Sequence, residues 1–312
     1  MSGPVTEDDA PPDPEVGSPE PPGVEITAGR EAMVGDMPVR RVLPRRARRT
    51  VGAWCFVDHM GPAAVTETHG IDVGPHPHIG LQTVTWLLAG EVLHRDSLGS
   101  EQVIRPGQLN LMTAGRGVSH SEEATGSYAG PLHGVQLWVA QPEATRHGDP
   151  AFEHHAELPQ VELAAGTATV LVGALGGTAS PARRDTDHLG VDLDLRSGVH
   201  ELPVEPGHEH ALVVTTGALQ IDGQVLEPGH LAHLAPGRDT LVLEVREPTR
   251  ALLLGGTPFP EAILMWWNYV ARTRDEISAA HAEWTDRSPR FGTVASPLDR
   301  IDVGPPPWTP GR

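Results

Sequence analysis

Gly70 to Glu122, GIDVGPHPHIGLQTVTWLLAGEVLHRDSLGSEQVIRPGQLNLMTAGRGVSHSE, is the stretch on which the reading of the fold turns. His76 and His78 stand one residue apart, and some forty residues later His120 and Glu122 repeat the gap. Side chains alternate faces along a strand, so each pair aims two donors to one side. Two such strands facing each other can enclose one metal ion. Three neutral imidazoles and a carboxylate form a borderline N/O set suited to iron, manganese, cobalt, nickel, copper or zinc.

The intervening residues predict the strands that this geometry needs. Leu81 to Leu88 is β-branched and apolar, Ala89-Gly90-Glu91 interrupts it, and Val92-Leu93 restarts a strand. Ser97 to Ser100 and Arg105 to Gln108 read as turns, Leu109 to Met112 as a strand, and Thr113 to Gly117 as the bend that delivers His120. Short strands with evenly spaced turns describe an antiparallel barrel or jelly roll.

This layout resembles a cupin. Gly70, five residues and His76-Pro77-His78 follow the superfamily's first motif, with Gln82 where an acid usually stands and Gly90 closing it. Gly107, five residues and Thr113-Ala114-Gly115 follow the second, with two extra residues before His120. Gln82 cannot be an anionic ligand, which leaves Glu122 as the carboxylate. The variant resembles the pirin family, whose signature includes His-Pro-His, Thr-Ala-Gly-Arg-Gly and His-x-Glu. The likeness extends from Phe56-Val57-Asp58-His59-Met60-Gly61-Pro62 to Gln136-Leu137-Trp138 and covers nearly all of the chain beyond the first two dozen residues.

Further along, Gly190–Leu195, Ala211–Thr215, Ala218–Ile221, Leu231–Leu234, Thr240–Val245 and Ala251–Leu254 predict a second barrel. His208-Glu209-His210 mimics half of a metal site, but the slot for a later histidine falls near Thr240. His230 and His233 are stray candidates, and the expectation is one metal per chain. The fold expected is all-β, two cupin jelly-roll barrels in tandem with a C-terminal helix. The expected division is a disordered acidic tail at 1–24, a metal-binding cupin at 25–143, a second cupin at 144–258, and a helix with tail at 259–312. Within the last part, Trp266 to Arg272 is read as helical and running into Thr273-Arg274-Asp275-Glu276, a capping box, with Ile277, Ala280 and Trp284 as an apolar stripe.

Among the remaining features, the tail Met1–Val24 holds seven prolines, six acids and no base. Arg40 to Arg49 (RRVLPRRARR) is the one basic cluster, read as a solvated loop before the first barrel strand. Asp58 and His59 either line the pocket or belong to a turn. His69, His94, His154 and His155 are expected at the surface. A formal charge of −18 argues against nucleic acid and anionic membranes as partners. One cysteine, no apolar run of ~20 residues and no charged-then-apolar leader predict a cytoplasmic protein.

The resemblance implies a non-haem divalent ion, commonly Fe(II), with Ni, Cu, Mn or Zn open to the same donors. For some members it implies dioxygen-dependent cleavage of quercetin-type flavonols, so the expected partners are O2 and a small aromatic or enol substrate. His76, His78, His120 and Glu122 would hold the ion, and Glu122 would also take the substrate's hydroxyl proton. The alternative, from another class, is a redox-sensitive metal-binding regulator that binds a protein partner and has no turnover of its own.

Overall fold

The computed structural model of the chain describes residues 23–35 and 37–309. The segment expected as a tail lies outside the described residues except for Gly23 and Val24. The chain forms two β-barrels of matching design. In the first, a seven-stranded sheet runs in the order Ala151–His155, Leu109–Thr113, Leu81–Ala89, Gly130–Ala140, Trp54–Val65, Met37–Leu43, Arg30–Val34. It faces a four-stranded sheet ordered Val73–His78, Val118–Glu123, Val92–Asp96, Glu101–Ile104. The second barrel repeats the seven-plus-four arrangement, with Glu209–Thr216, Thr249–Gly256 and His188–Leu195 central in its larger sheet.

The two barrels trade chain at their edges. Val24–Ala28 pairs with His230–Leu234 of the second barrel, and the next strand, Arg30–Val34, already belongs to the first.

Three layers of apolar packing follow from strand alternation. Leu212, Val214, Leu253 and Leu193 point inward and fill the second barrel with hydrocarbon. Their sequence neighbours Val213, Leu252 and Leu254 point outward, where they meet Val57, Val84, Leu137 and Trp54 of the first barrel's large sheet. Both faces of these strands are therefore buried, so they read as apolar runs. The interior of the first barrel differs: its apolar residues separate into two groups, one around Met60 and Val73 and another around Phe56 and Met112. Between them lie the side chains of His76, His78 and His120.

Residues 263–309 return from the second barrel to brace the first. Ile79 bridges Tyr269, the Ile301 amide donates to the Pro75 carbonyl (2.9 Å), and the Ser119 hydroxyl donates to the Phe291 carbonyl (2.7 Å). The approach is so close that a Cβ at Gly74 would stand 2.0 Å from the Asp299 carbonyl oxygen. Only glycine is tolerated there.

Two local expectations are corrected. Trp266 to Arg272 is not helical but mostly a hairpin, Leu264–Trp266 with Tyr269–Ala271, turning through Trp267 at φ 53°. A short aromatic run has no periodicity of its own to separate strand from helix. The helix begins where the capping box places it, Arg274–Thr285, with the Thr273 hydroxyl accepting from the Glu276 amide. The arginine cluster is a loop only from Pro44 to Arg49, where Arg46 is exposed; its first part is not. Arg40 and Arg41 lie in the strand Met37–Leu43, and Arg41, 1% exposed, grips both carboxylate oxygens of Asp58 at 2.8 and 2.7 Å.

Trp54 holds the barrels together: it is fully buried between them, and its indole N–H donates to the Leu189 carbonyl at 2.9 Å. Trp54→Ala should cost about 3–5 kcal/mol in denaturant unfolding. An unchanged midpoint would show that the barrels do not depend on this contact.

Candidate metal centre

The strands Val73–His78 and Val118–Glu123 are antiparallel neighbours in the small sheet, with His120 opposite His76 and Val118 opposite His78. Alternation turns His76, His78 and His120 into the barrel. Their ligand atoms lie within 4.8 Å of one another, and among the described residues this is the one such group. All three are buried. Glu122 is not in that group of three, but it is buried and lines the same pocket, one register shift beyond His120.

Each imidazole has its orientation set from behind. The His76 Nδ1–H donates to the Gly74 carbonyl at 2.9 Å, and the His78 Nδ1–H donates to the Asn268 carbonyl at 3.0 Å. Carbonyls only accept, so both rings carry their proton on Nδ1 and present a lone pair at Nε2. His120 is held by a longer chain. Its Nδ1 lies 3.3 Å from His94 Nδ1, and His94 Nε2 lies 3.1 Å from Asp96 Oδ2. The carboxylate fixes the proton of His94 on Nε2, which leaves His94 Nδ1 to accept from His120. The Nε2 of His120 then presents a lone pair as well.

This arrangement fits a metal ion. His78 Nε2 and His120 Nε2 face each other at 3.0 Å. With both protons on Nδ1, two lone pairs meet there, and a cation between them relieves the repulsion. Two nitrogens at right angles, each about 2.1 Å from one ion, stand about 3.0 Å apart. Burial keeps the donors neutral. Loss of hydration lowers His76 to a pKa of about 4, and the same cause, reinforced by the neighbouring imidazoles, puts His78 and His120 well below the ordinary range. Burial also pushes the Glu122 carboxyl up.

The pocket in front of the histidines is lined by Phe56, Met60, Ile71, Trp138, Asp58 and Gln136 among others. Its volume is about 30 Å³, room for no more than a few water molecules. Asp58 is fixed by Arg41, and the Gln136 amide oxygen accepts from the Thr85 hydroxyl at 2.9 Å.

Other histidines fall in different places. Asp58 and His59 lie on a strand, not a turn; Asp58 faces the pocket, whereas His59 faces away and pairs with His133 Nε2 at 2.8 Å. His94, expected at the surface, is 4% exposed and supports His120. No sequence motif marked it; its one-residue spacing from Asp96 on a strand was the available signal. His154 is half-buried on the edge strand Ala151–His155 and bonds Asn110. In the second barrel, His208 turns to Asp187 at 3.0 Å, His210 is buried with neither ring nitrogen bonded, and His233 pairs with Glu209 at 2.9 Å. They do not assemble a set of three.

Comparison with known proteins agrees with the geometry. Residues 36–139 match the family model described as Pirin, and residues 190–292 match the Pirin C-terminal cupin domain. A Pseudomonas aeruginosa protein named "Putative quercetin 2,3-dioxygenase" is 45% identical over 285 residues, which is 91% of this chain and 90% of the relative. A "Pirin-like protein" of Caulobacter vibrioides is 40% identical over 82% of this chain and 90% of its own length. The crystal structure of a quercetin 2,3-dioxygenase from Acinetobacter baumannii superposes with a TM-score of 0.89 at 41% identity, covering 92% of this chain and 96% of the other. No helix among the described residues is long and apolar enough to cross a membrane.

Two outcomes follow. His94→Phe should keep the fold but weaken metal affinity about 10–100-fold, read by competition with a chromogenic chelator; unchanged affinity would remove His94 from the support of the site. The second concerns pH. His76 titrates near 4 when folded, against an ordinary histidine value of 6.5, so below 6.5 the unfolded chain takes up protons first. The stability due to the neutral ring is complete above pH 6.5 and is lost as pH falls towards 4. His188 and His210, also lowered to about 4 by burial, act in the same direction. The melting temperature of metal-free protein should drop across that window, less steeply in His76→Gln. Parallel curves would contradict the assignment.

Proposed function

The chain belongs to the pirin family, and on that premise we propose that it is a metal-dependent dioxygenase acting on an enol or flavonol-type substrate. His76, His78 and His120 would hold one divalent ion, Fe(II) in our reading, with Glu122 as the fourth donor and as the base. We read 25–143 as the metal-binding unit and 144–258 as its structural partner, with edge strands exchanged between the barrels (Val24–Ala28 in the second, Ala151–His155 in the first), and 259–312 as a segment whose described residues brace the first. A buried, unpaired Cys55 suits a reducing compartment, and we place the protein in the cytoplasm.

The observation that carries this reading is the convergence of three neutral imidazoles in the interior of the first barrel. Such a cluster costs desolvation, and a cation offsets that cost where hydrocarbon cannot. The ion, when bound, supplies Lewis acidity towards the substrate's oxygens and a redox partner for dioxygen. The protein's own residues do the rest. Glu122, its carboxyl raised by burial, is suited to accept a hydroxyl proton near neutral pH. Phe56, Met60 and Trp138 exclude water, and Gln136 and Asp58 offer fixed polar contacts to the substrate's oxygens.

The narrowness of the pocket favours a compact substrate. A flavonol is larger than this space and would need the pocket lining to give way. The same narrowness supports a second reading, a redox-sensitive regulator whose metal is sensed by a protein partner without turnover.

Anaerobically iron-loaded protein should consume oxygen when given small enols, and more slowly with quercetin. Glu122→Gln should lower kcat about 100-fold. Unchanged turnover with full metal content would remove the proposed base. No oxygen uptake with any such compound, together with a reproducible co-purifying protein, would favour the regulator. His208→Ala should leave the metal content at about one ion per chain; a fall from two to one would reveal a second site.

A further inference from the structure

A second cavity lies behind the metal centre, on the outer face of the small sheet. Its volume is about 300 Å³, and its lining includes Pro75, Ser119, Trp284, Arg287, Ser296 and Arg300. Pro75 and Ser119 immediately precede His76 and His120, so the same strands present ligands inward and this cavity's wall outward. The opposite wall is the C-terminal strap and the end of the helix Arg274–Thr285.

The lining carries two guanidinium groups and no carboxylate, in a chain with a formal charge of −18. Arg287 is held at φ 57° where the helix ends, its backbone amide donating to the Trp284 carbonyl at 3.0 Å. Its side chain is exposed and has no ion-pair partner among the described residues. Arg300 lies over the Trp284 ring at 3.5 Å and donates to the Trp284 carbonyl, which explains one nitrogen and one face. Its Nε, however, is buried with no hydrogen-bond partner. Its nearest carboxylate is Asp302 at 3.4 Å, itself 58% exposed and outside the lining. Ser288 and Ser296 accept hydrogen bonds from the amides of Arg290 and Leu298, which leaves their hydroxyl protons free. Thr293 adds a third hydroxyl.

Helix capping accounts for the backbone of Arg287 but not its guanidinium, and packing on Trp284 with the Asp302 contact accounts for only part of Arg300. A cavity that gathers two cations and three hydroxyl donors in an acidic protein is built to accept an anion. Donors of this number and mixture suit a tetrahedral oxyanion better than a planar carboxylate. We propose that this cavity binds a phosphate group, as the free ion or as the phosphomonoester of a small molecule. The site is separate from the metal reading, since none of its lining residues is among the four proposed metal donors.

Isothermal titration calorimetry with inorganic phosphate, on chelator-treated full-length protein at low ionic strength, tests the proposal. Saturable binding should appear and should weaken with added salt. Arg287→Gln, at an exposed position outside the core, should weaken it about tenfold, and Arg300→Gln should do so at least equally. Tighter binding of glycerol phosphate than of inorganic phosphate would identify an ester, and the reverse would identify the free ion. No saturable binding up to about 10 mM, or titrations of Arg287→Gln that superimpose on the parent, would overturn the proposal. Binding that appears only in metal-loaded protein would overturn it as well, because the anion would then sit on the metal.

Discussion

The structure depends on the cost of placing three imidazoles where water cannot reach them. A barrel of this size closes readily over hydrocarbon, as the second barrel does with Leu193, Leu212, Val214 and Leu253. The first gives up that continuity, dividing its apolar interior around His76, His78 and His120. Each ring is kept neutral by burial and is aimed by an acceptor behind it: Gly74, Asn268, or His94 backed by Asp96. What remains is three lone pairs converging on one point.

That constraint explains much of the architecture around the site. Asn268 reaches His78 from the hairpin turn at Trp267, far along the chain, so the C-terminal segment must fold back over the first barrel. Gly74 must lack a side chain because the strap passes over it, and its backbone carbonyl orients His76. The second barrel, which assembles no three-donor group among the described residues, contributes a flat apolar face and Trp54's partner, the Leu189 carbonyl. Two barrels of similar topology have thus diverged in what they bury. This is a difference of side chains and not of fold.

The sequence disclosed those features that repeat with a short period. The His-Pro-His and His-Ser-Glu pairs, the apolar strand Leu81–Ala89 and the turns between strands are local patterns, and the barrel and the histidine cluster follow from them. It hid those set by distant contacts. Arg41 sits in a basic run, and its burial against Asp58 depends on a neighbouring strand. His94 reads as one histidine among seventeen until the sheet puts it beside His120. The aromatic run at Trp266 suits strand and helix alike, and only its pairing with Ile79 and His78 decides between them. Long-range pairing, more than propensity, separates what was legible from what was not.

X-ray absorption spectroscopy of the purified, metal-loaded protein tests the central claim most directly. The account predicts one ion per chain in a shell with three imidazole nitrogens and additional oxygen donors, and a spectrum that loses imidazole scattering in His120→Ala. A shell without imidazole, or a spectrum indifferent to that substitution, would contradict it.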